Sequence, residues 1–222
     1  MYTGLASNTK GFATAFLQDI DDNAASKENV KEKSEFVFAA AIREGNVRDV
    51  QKMLNNHENI WKAKLSFRIK LKVDTTARTI HYITIADFNG KELEKAKMNV
   101  SPLQLAIISK QEMVVQAILE HVYLSDDNGE HALKTLLEVK TQVQFPRDSP
   151  NIYEEDDRML DGMNTFHLAA KFHPQSLQTI ISFLQNEDAS EIITLLTQGK
   201  DPHIQNTPLH IAANSPSSFA MR

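Results

Sequence analysis

The chain is predicted to be mostly α, a helical repeat solenoid interrupted by one β-hairpin, and three observations lead there. A short string recurs along the sequence, most completely at Asn206-Thr207-Pro208-Leu209-His210-Ile211-Ala212-Ala213. Apolar residues of helical spacing follow the copies. Leu65, Phe67, Ile69, Leu71 and Val73 alternate with Ser66, Arg68, Lys70 and Lys72, a period of two that no helix stripe produces.

Taken in order, residues 1–34 read as an N-terminal capping helix, apolar at Phe12, Phe16, Leu17 and Ile20, followed by a charged linker. Residues 35–222 read as one repeat domain. Its first copy, near residues 35–60, has the alanine-rich run Phe38 to Ile42, a turn at Glu44-Gly45-Asn46, and Val47, Val50, Met53 and Leu54 at helical spacing. Trp61 follows, either as a plug joining helices to hairpin, since Ile60 and Leu65 need cover, or as a partner anchor. The hairpin insertion spans residues 64–88, its second strand being Thr79 to Ala86. Two strands alone are marginal in water, so the apolar side is expected against the helices.

The second copy, near residues 101–122, is Ser101-Pro102-Leu103-Gln104-Leu105-Ala106 and then Met113 to His121. Ala132, Leu133, Leu136, Leu137 and Val139 predict a short extra helix within Asn128 to Gln142. Residues 146–161, with Asp148-Ser149-Pro150 and Glu154-Glu155-Asp156-Asp157, lack any apolar period and read as an extended acidic loop. The third copy, near residues 164–186, is Asn164-Thr165-Phe166-His167-Leu168-Ala169-Ala170 followed by Ser176 to Leu184. A second extra helix is expected within Ala189 to Gln198. The fourth copy, residues 206–222, is incomplete: the chain stops about where an outer helix would begin, which reads as a fragment of a longer array.

The physical content of the recurring string is a turn and a helix start. Thr207 supplies a capping hydroxyl and Pro208 fits the first helical position, where its missing N–H costs nothing. Leu209 is expected to pack inward, while Ala212 and Ala213 keep the helix thin enough for a neighbour to stack.

These strings resemble the start of an ankyrin repeat. The resemblance implies stacked helix pairs, a structural role for His210 and its counterpart His167 in the turn, and a protein-binding module that is not an enzyme. Ser101, Pro102 and Leu103, Thr165 and Leu168, and Thr207, Pro208 and Leu209 are the motif positions. Spacing departs from the family: Ser101 and Thr165 are 64 positions apart, Thr165 and Thr207 42, against a period of about 33. Each interval holds an insertion. In such arrays the finger loops and inner-helix ends form the contact surface. Carried over, they name Asn99, Lys110, Asp161, Met163, Asn164, Lys171, Phe172, His173, His203, Gln205 and Asn206 as candidate partner contacts. Phe172, the one apolar residue among the exposed helix ends, suits a core role equally. The insertion-laden style also resembles arrays that intracellular bacterial pathogens deliver into host cells, which implies an effector acting on a host protein. The other reading is a cytosolic arm of a larger channel or enzyme whose activity lies beyond residue 222.

Charge and composition bound the remaining classes. The net charge of −5 divides unevenly: Lys62 to Lys97 holds nine bases against four acids, and Glu120 to Asp161 eleven acids against four bases. The basic hairpin face, Arg68, Lys70 and Lys72, could attract an acidic partner or an anionic membrane surface, or simply blunt an edge strand. No aromatic residues interleave with these bases, so nucleic acid lacks support. No apolar run approaches the roughly 20 residues of a membrane span, and Gly11 to Ile20 lacks the basic flank and length of a signal core, so a cytoplasmic place, or delivery into a host cell, is expected. With 0 cysteines there are no disulfides or thiolate nucleophiles. The 8 histidines show no close-set metal pair, no glycine-rich phosphate loop occurs, and Glu154 to Asp157 is contiguous where a calcium loop alternates. No catalytic residue, metal or cofactor is expected.

Overall fold

The computed structural model describes residues 27–74, 79–86, 96–125, 128–144, 160–187, 189–194, 199–200 and 205–214. Residues 1–26, 146–159 of the expected acidic loop, His203, and 195–198 and 215–222 lie outside the described residues. The fold is mostly helical with a small sheet. Its order is α1 (Lys27–Glu44), α2 (Val47–Asn56), a 3-10 turn (Ile60–Lys62), β1 (Leu65–Asp74), β2 (Thr79–Ala86), β3 (Ala96–Val100), α3 (Pro102–Ile108), α4 (Glu112–Ser125), α5 (Gly129–Glu138), β4 (Gln142–Gln144), α6 (Thr165–Phe172), α7 (Pro174–Asn186), a 3-10 turn (Ser190–Thr194) and α8 (Pro208–Asn214).

Local chemistry sets the helix ends. Helix α1 stops at Gly45, whose φ of 71° lies in the left-handed region; its N–H reaches the Ile42 carbonyl at 3.1 Å and the Asn46 N–H the Ala41 carbonyl at 3.0 Å. That double closure satisfies carbonyls the helix leaves open. A Cβ on Gly45 would also sit 2.3 Å from Gln111 Oε1. Asn46 then caps α2 by accepting from the Asp49 N–H. Ser101 caps α3, with Gln104 completing a reciprocal capping box, and Pro102 takes the first helical position. Asn128 and Asn164 cap α5 and α6 in the same manner.

The helices lie in two rows. Helices α1, α3, α6 and α8 pack in succession, each on the next, and α2, α4 and α7 form a parallel succession outside them. Each of α1, α3 and α6 also packs on the helix that follows it in sequence. Phe38, Ile42, Leu103, Leu105, Ile107, Ile118, Leu119 and Phe166 are buried in one continuous core along both rows. Helix α5 wedges between α4 and α6. Trp61, 6 % exposed, packs the 3-10 turn on α2 and α3 with the Lys62 ammonium 4.6 Å over its ring, so it is a plug and not a surface anchor.

The hairpin is half of a larger sheet. Four strands run in the order β2-β1-β3-β4, every neighbouring pair antiparallel. Neither β3 nor β4 belongs to the expected hairpin, and the extra helix expected within Asn128 to Gln142 does not fill that span. Instead α5 ends at Glu138, and Met98 and Val100, 1 % and 2 % exposed, press β3 on the helices. The two insertions thus meet in one sheet.

Thr141, 1 % exposed, closes the second insertion. Its N–H donates to the Met163 carbonyl at 2.9 Å, its carbonyl accepts from the Gly162 N–H at 2.9 Å, and its hydroxyl donates to the Leu160 carbonyl while accepting from the Met163 N–H at 3.1 Å. Asp161 adds a bond from the Val143 N–H at 2.8 Å. Of the extra helix expected within Ala189 to Gln198, residues 190–194 form a 3-10 helix and 195–198 lie outside the described residues, while Leu209, expected inward, is 46 % exposed.

Thr141→Val keeps the shape but removes the hydroxyl, leaving buried backbone groups unpaired. It is expected to lower stability by about 1–3 kcal/mol in urea denaturation, whereas Thr135→Val on an exposed helix face changes it little.

Candidate partner-binding surface

Three residues stand at equivalent places in the inner helices: Gln104 in α3, His167 in α6 and His210 in α8, each three positions after its capping residue or, for α6, after Asn164. Gln104 is fully buried; its Oε1 accepts from the Ser101 N–H at 2.9 Å and its Nε2 donates forward to the Val139 carbonyl at 2.7 Å. His167 does the same with a ring: Nδ1 lies 2.6 Å from Asn164 Oδ1 and Nε2 3.1 Å from the Asn206 carbonyl. His210 keeps the backward half, with Nδ1 2.7 Å from Thr207 Oγ1. Gln104 therefore ties the start of α3 to the end of α5, and His167 ties the start of α6 to the backbone that introduces α8. Thr165 is buried too, its hydroxyl donating to the Leu136 carbonyl at 3.3 Å. Leu103 and Leu168 are core.

At the other end of the inner helices, the turns into the outer row form an edge. Gln111 Nε2 donates to the Arg43 carbonyl at 3.1 Å, joining first turn to second. Thr179 Oγ1 donates to Glu112 Oε1 at 2.9 Å, joining the start of α4 to the flank of α7. Lys110 repeats the Gly45 arrangement, its N–H on the Ile107 carbonyl at 3.0 Å and the Gln111 N–H on the Ala106 carbonyl at 2.9 Å. Yet Lys110 carries a side chain at φ 58°, where glycine would be at ease. Left-handed backbone costs a non-glycine residue about 1–2 kcal/mol. Gln205, also exposed, stands at φ 54°.

The structure sorts the expected contacts into separate places. Lys110, Lys171, Phe172 and His173 share the turn edge. Lys110 is exposed, the other three half-buried, and the Lys171 ammonium lies 6.0 Å from the Phe172 ring centre. Phe172 also packs against the core, so it serves both roles. Gln205 and Asn206 lie at the opposite end, beside His167. Three expectations are corrected by burial. Met163 is 0 % exposed within the Thr141 closure, Asn164 is 7 % exposed and committed to capping α6, and Asn99 is 7 % exposed with its Oδ1 accepting from the Ser66 hydroxyl. Asp161 is half-buried and bonded to β4. Arg68, Lys70 and Lys72 lie on β1 in register with β2, and Arg68 is also in register with Lys97 of β3.

Sequence reasoning missed the ladder of turns through Gln111, Glu112 and Thr179. It also missed the strain at Lys110, which a comparison of the Gly45 turn with Ser109-Lys110-Gln111 would have suggested.

Small-molecule chemistry finds little here. A cleft of about 880 Å³ opens beside Ser34, Glu35, His57, Asn59, Lys62 and Lys64, polar and without a buried convergent pair. No group of three potential metal ligands occurs among the described residues. No helix among them is long and apolar enough to cross a membrane. No protein-family model, curated protein or solved structure matches the chain.

His173 marks the third turn, its Nδ1 2.7 Å from Ser176 Oγ. Burial holds its imidazole below the usual value of 6.5, Lys110 adding to the depression and Glu112 opposing it. The folded chain therefore binds this proton less readily than the unfolded chain, so the contribution is fully present above the unfolded value and is lost as pH falls through the folded one. Burial shifts His121 in the same direction. His173→Asn, which keeps a polar partner for the Ser176 hydroxyl, is expected to lessen the fall in melting temperature between about pH 7 and about pH 5; calorimetry across that window measures it.

Proposed function

We propose that the chain is an ankyrin-type repeat module, without catalysis of its own, that holds a partner protein along the turn edge of its inner helices. The two helix rows and the forward bridges from Gln104 and His167 support the ankyrin-type reading, because the rows repeat unit by unit and the bridges stand at equivalent motif positions in two of the units. The observation that carries the function is Lys110: an exposed lysine held in left-handed backbone at a turn where the preceding unit has glycine. A scaffold alone gains nothing from that side chain. Beside it stand Glu112, Lys171, half-buried Phe172 and His173, a mixed-charge rim around an aromatic, which is the composition of a contact hot spot. The turns that carry these residues are tied to one another through Gln111 and Thr179, so the surface is preorganised and little ordering is lost on binding.

Affinity capture from eukaryotic cell lysate tests the reading. Lys110→Gly should raise stability by about 1 kcal/mol while weakening capture, and Phe172→Ala should weaken it by about tenfold. Gln205→Gly, at the other end of the helices, should leave capture unchanged. A partner retained equally by all three variants would contradict the placement on the turn edge.

A further inference from the structure

The joint between α6 and α8 is built differently from its neighbours, whether or not the helices form an ankyrin-type array. His210 Nδ1 faces donors: the Thr207 N–H at 3.3 Å, and at 2.7 Å the Thr207 hydroxyl, which can turn its proton toward the ring. A neutral imidazole suits that place. Gln104, at the equivalent position of α3, has no proton to gain or lose. His167 instead faces oxygen on both sides, with Nδ1 2.6 Å from Asn164 Oδ1 and Nε2 3.1 Å from the Asn206 carbonyl.

Neither oxygen can donate. The Asn206 carbonyl only accepts. Asn164 cannot offer its amide nitrogen instead, because the atom beside the ring also accepts the His167 backbone N–H at 3.0 Å as the cap of α6. Exchanging the two amide atoms would set donor against donor. A neutral ring carries one N–H and one lone pair, so either tautomer presses a lone pair on an oxygen, in a residue only 2 % exposed. Burial and the positive end of α6 oppose a charge here. Against them stand two charge-assisted bonds, each about twice as strong as a neutral one, and relief of the buried lone-pair contact. That balance favours the proton.

Charged neighbours among the described residues stand back from the ring. Of the helices packed on α6, α3 and α7 carry no titratable residue, α8 carries His210, and α5 carries Glu130, His131, Lys134 and Glu138, all exposed. On α6 itself Lys171 lies in the last turn. Ahead of α6, Asp161 accepts from the Val143 N–H, and Lys200, ahead of the Asn206 backbone, is exposed.

We propose that His167 is a proton-operated clasp: protonation completes both bonds and seats α8 on α6, and loss of the proton loosens that joint. The closed joint binds the proton more readily than the open one, where the ring meets water. Its contribution is therefore fully present below the ordinary histidine value of about 6.5 and is lost as pH rises through the value in the closed joint. Gln205, beside Asn206, holds a left-handed φ of 54° that costs a residue other than glycine, and opening the joint frees it to leave. His173 acts in the opposite direction, so the clasp is read locally, in α8, and not from the thermal midpoint.

Imidazole proton–nitrogen correlation spectra test the premise, with His167→Gln assigning the signal. Both ring nitrogens of His167 should carry protons at about pH 7, where an ordinary histidine is mostly neutral. A neutral His167 ring there would overturn the proposal. Hydrogen exchange resolved by residue, expressed as protection relative to the free peptide, tests the consequence. Protection of the α8 amides should fall about tenfold between about pH 6 and about pH 9. Asn164→Thr gives the ring the hydroxyl that Thr207 gives His210 and keeps a capping oxygen, so α8 should stay protected across that range. His167→Gln donates at every pH and should do the same, which keeps the test open if Asn164→Thr fails to fold. An equal fall in these variants, a fall shared by α3 and α4, or no fall in the native chain would overturn the proposal.

Discussion

Buried side chains at the starts of α3 and α6 each find a carbonyl in later backbone, and much of the remaining architecture answers that demand. Gln104 Nε2 has the Val139 carbonyl and His167 Nε2 the Asn206 carbonyl. Leaving either donor unpaired in the core would cost about 1–3 kcal/mol. The chain between units can wander, but it has to return to within a few tenths of an ångström of the same place. Long insertions are tolerated under that rule provided they close on themselves. The second insertion does so through α5, β4 and the Thr141 closure, and the first through β1 and β3. Pairing of β3 with β4 then fastens the two insertions to each other.

Rigidity at one end of the inner helices leaves the other end available. The turns at Gly45, Lys110 and His173 are short; Gln111 bonds the first to the second, and Glu112 bonds the second unit to α7. Loops on a rigid scaffold are where recognition residues concentrate, because they vary without disturbing packing. The sheet provides the complementary case. Leu65, Met98 and Val100 are buried in the helical core, while Gln142 and Gln144 of β4 are exposed.

Much of the helical part was legible in the sequence, because apolar period and capping residues coincide at Ser101, Asn164 and Thr207. The first hairpin was legible from strict alternation. Strands β3 and β4 were not: Ala96-Lys97-Met98-Asn99-Val100 is too short to separate from a loop, and Gln142-Val143-Gln144 has one apolar residue. Their pairing depends on contacts some forty positions apart, which local pattern does not contain. Candidate contacts fared unevenly for a related reason. Asn99, Met163 and Asn164 precede helices as finger residues do, yet the insertions bury them under added structure. Leu209 shows the reverse, an apolar motif residue left exposed because burial at that position comes from the next helix in the row. Lys110 was named by position alone; its meaning lies in a backbone angle.

Hydrogen exchange resolved by residue, comparing the native chain with His167→Leu and His167→Gln, tests the coupling of units most directly. If the forward bridge holds α8 to α6, His167→Leu should release the amides of α8 and leave those of α3 and α4 protected, and His167→Gln should restore most of that protection, since glutamine already fills the role at position 104. Protection lost evenly through all the helices, or lost equally in both variants, would contradict the account.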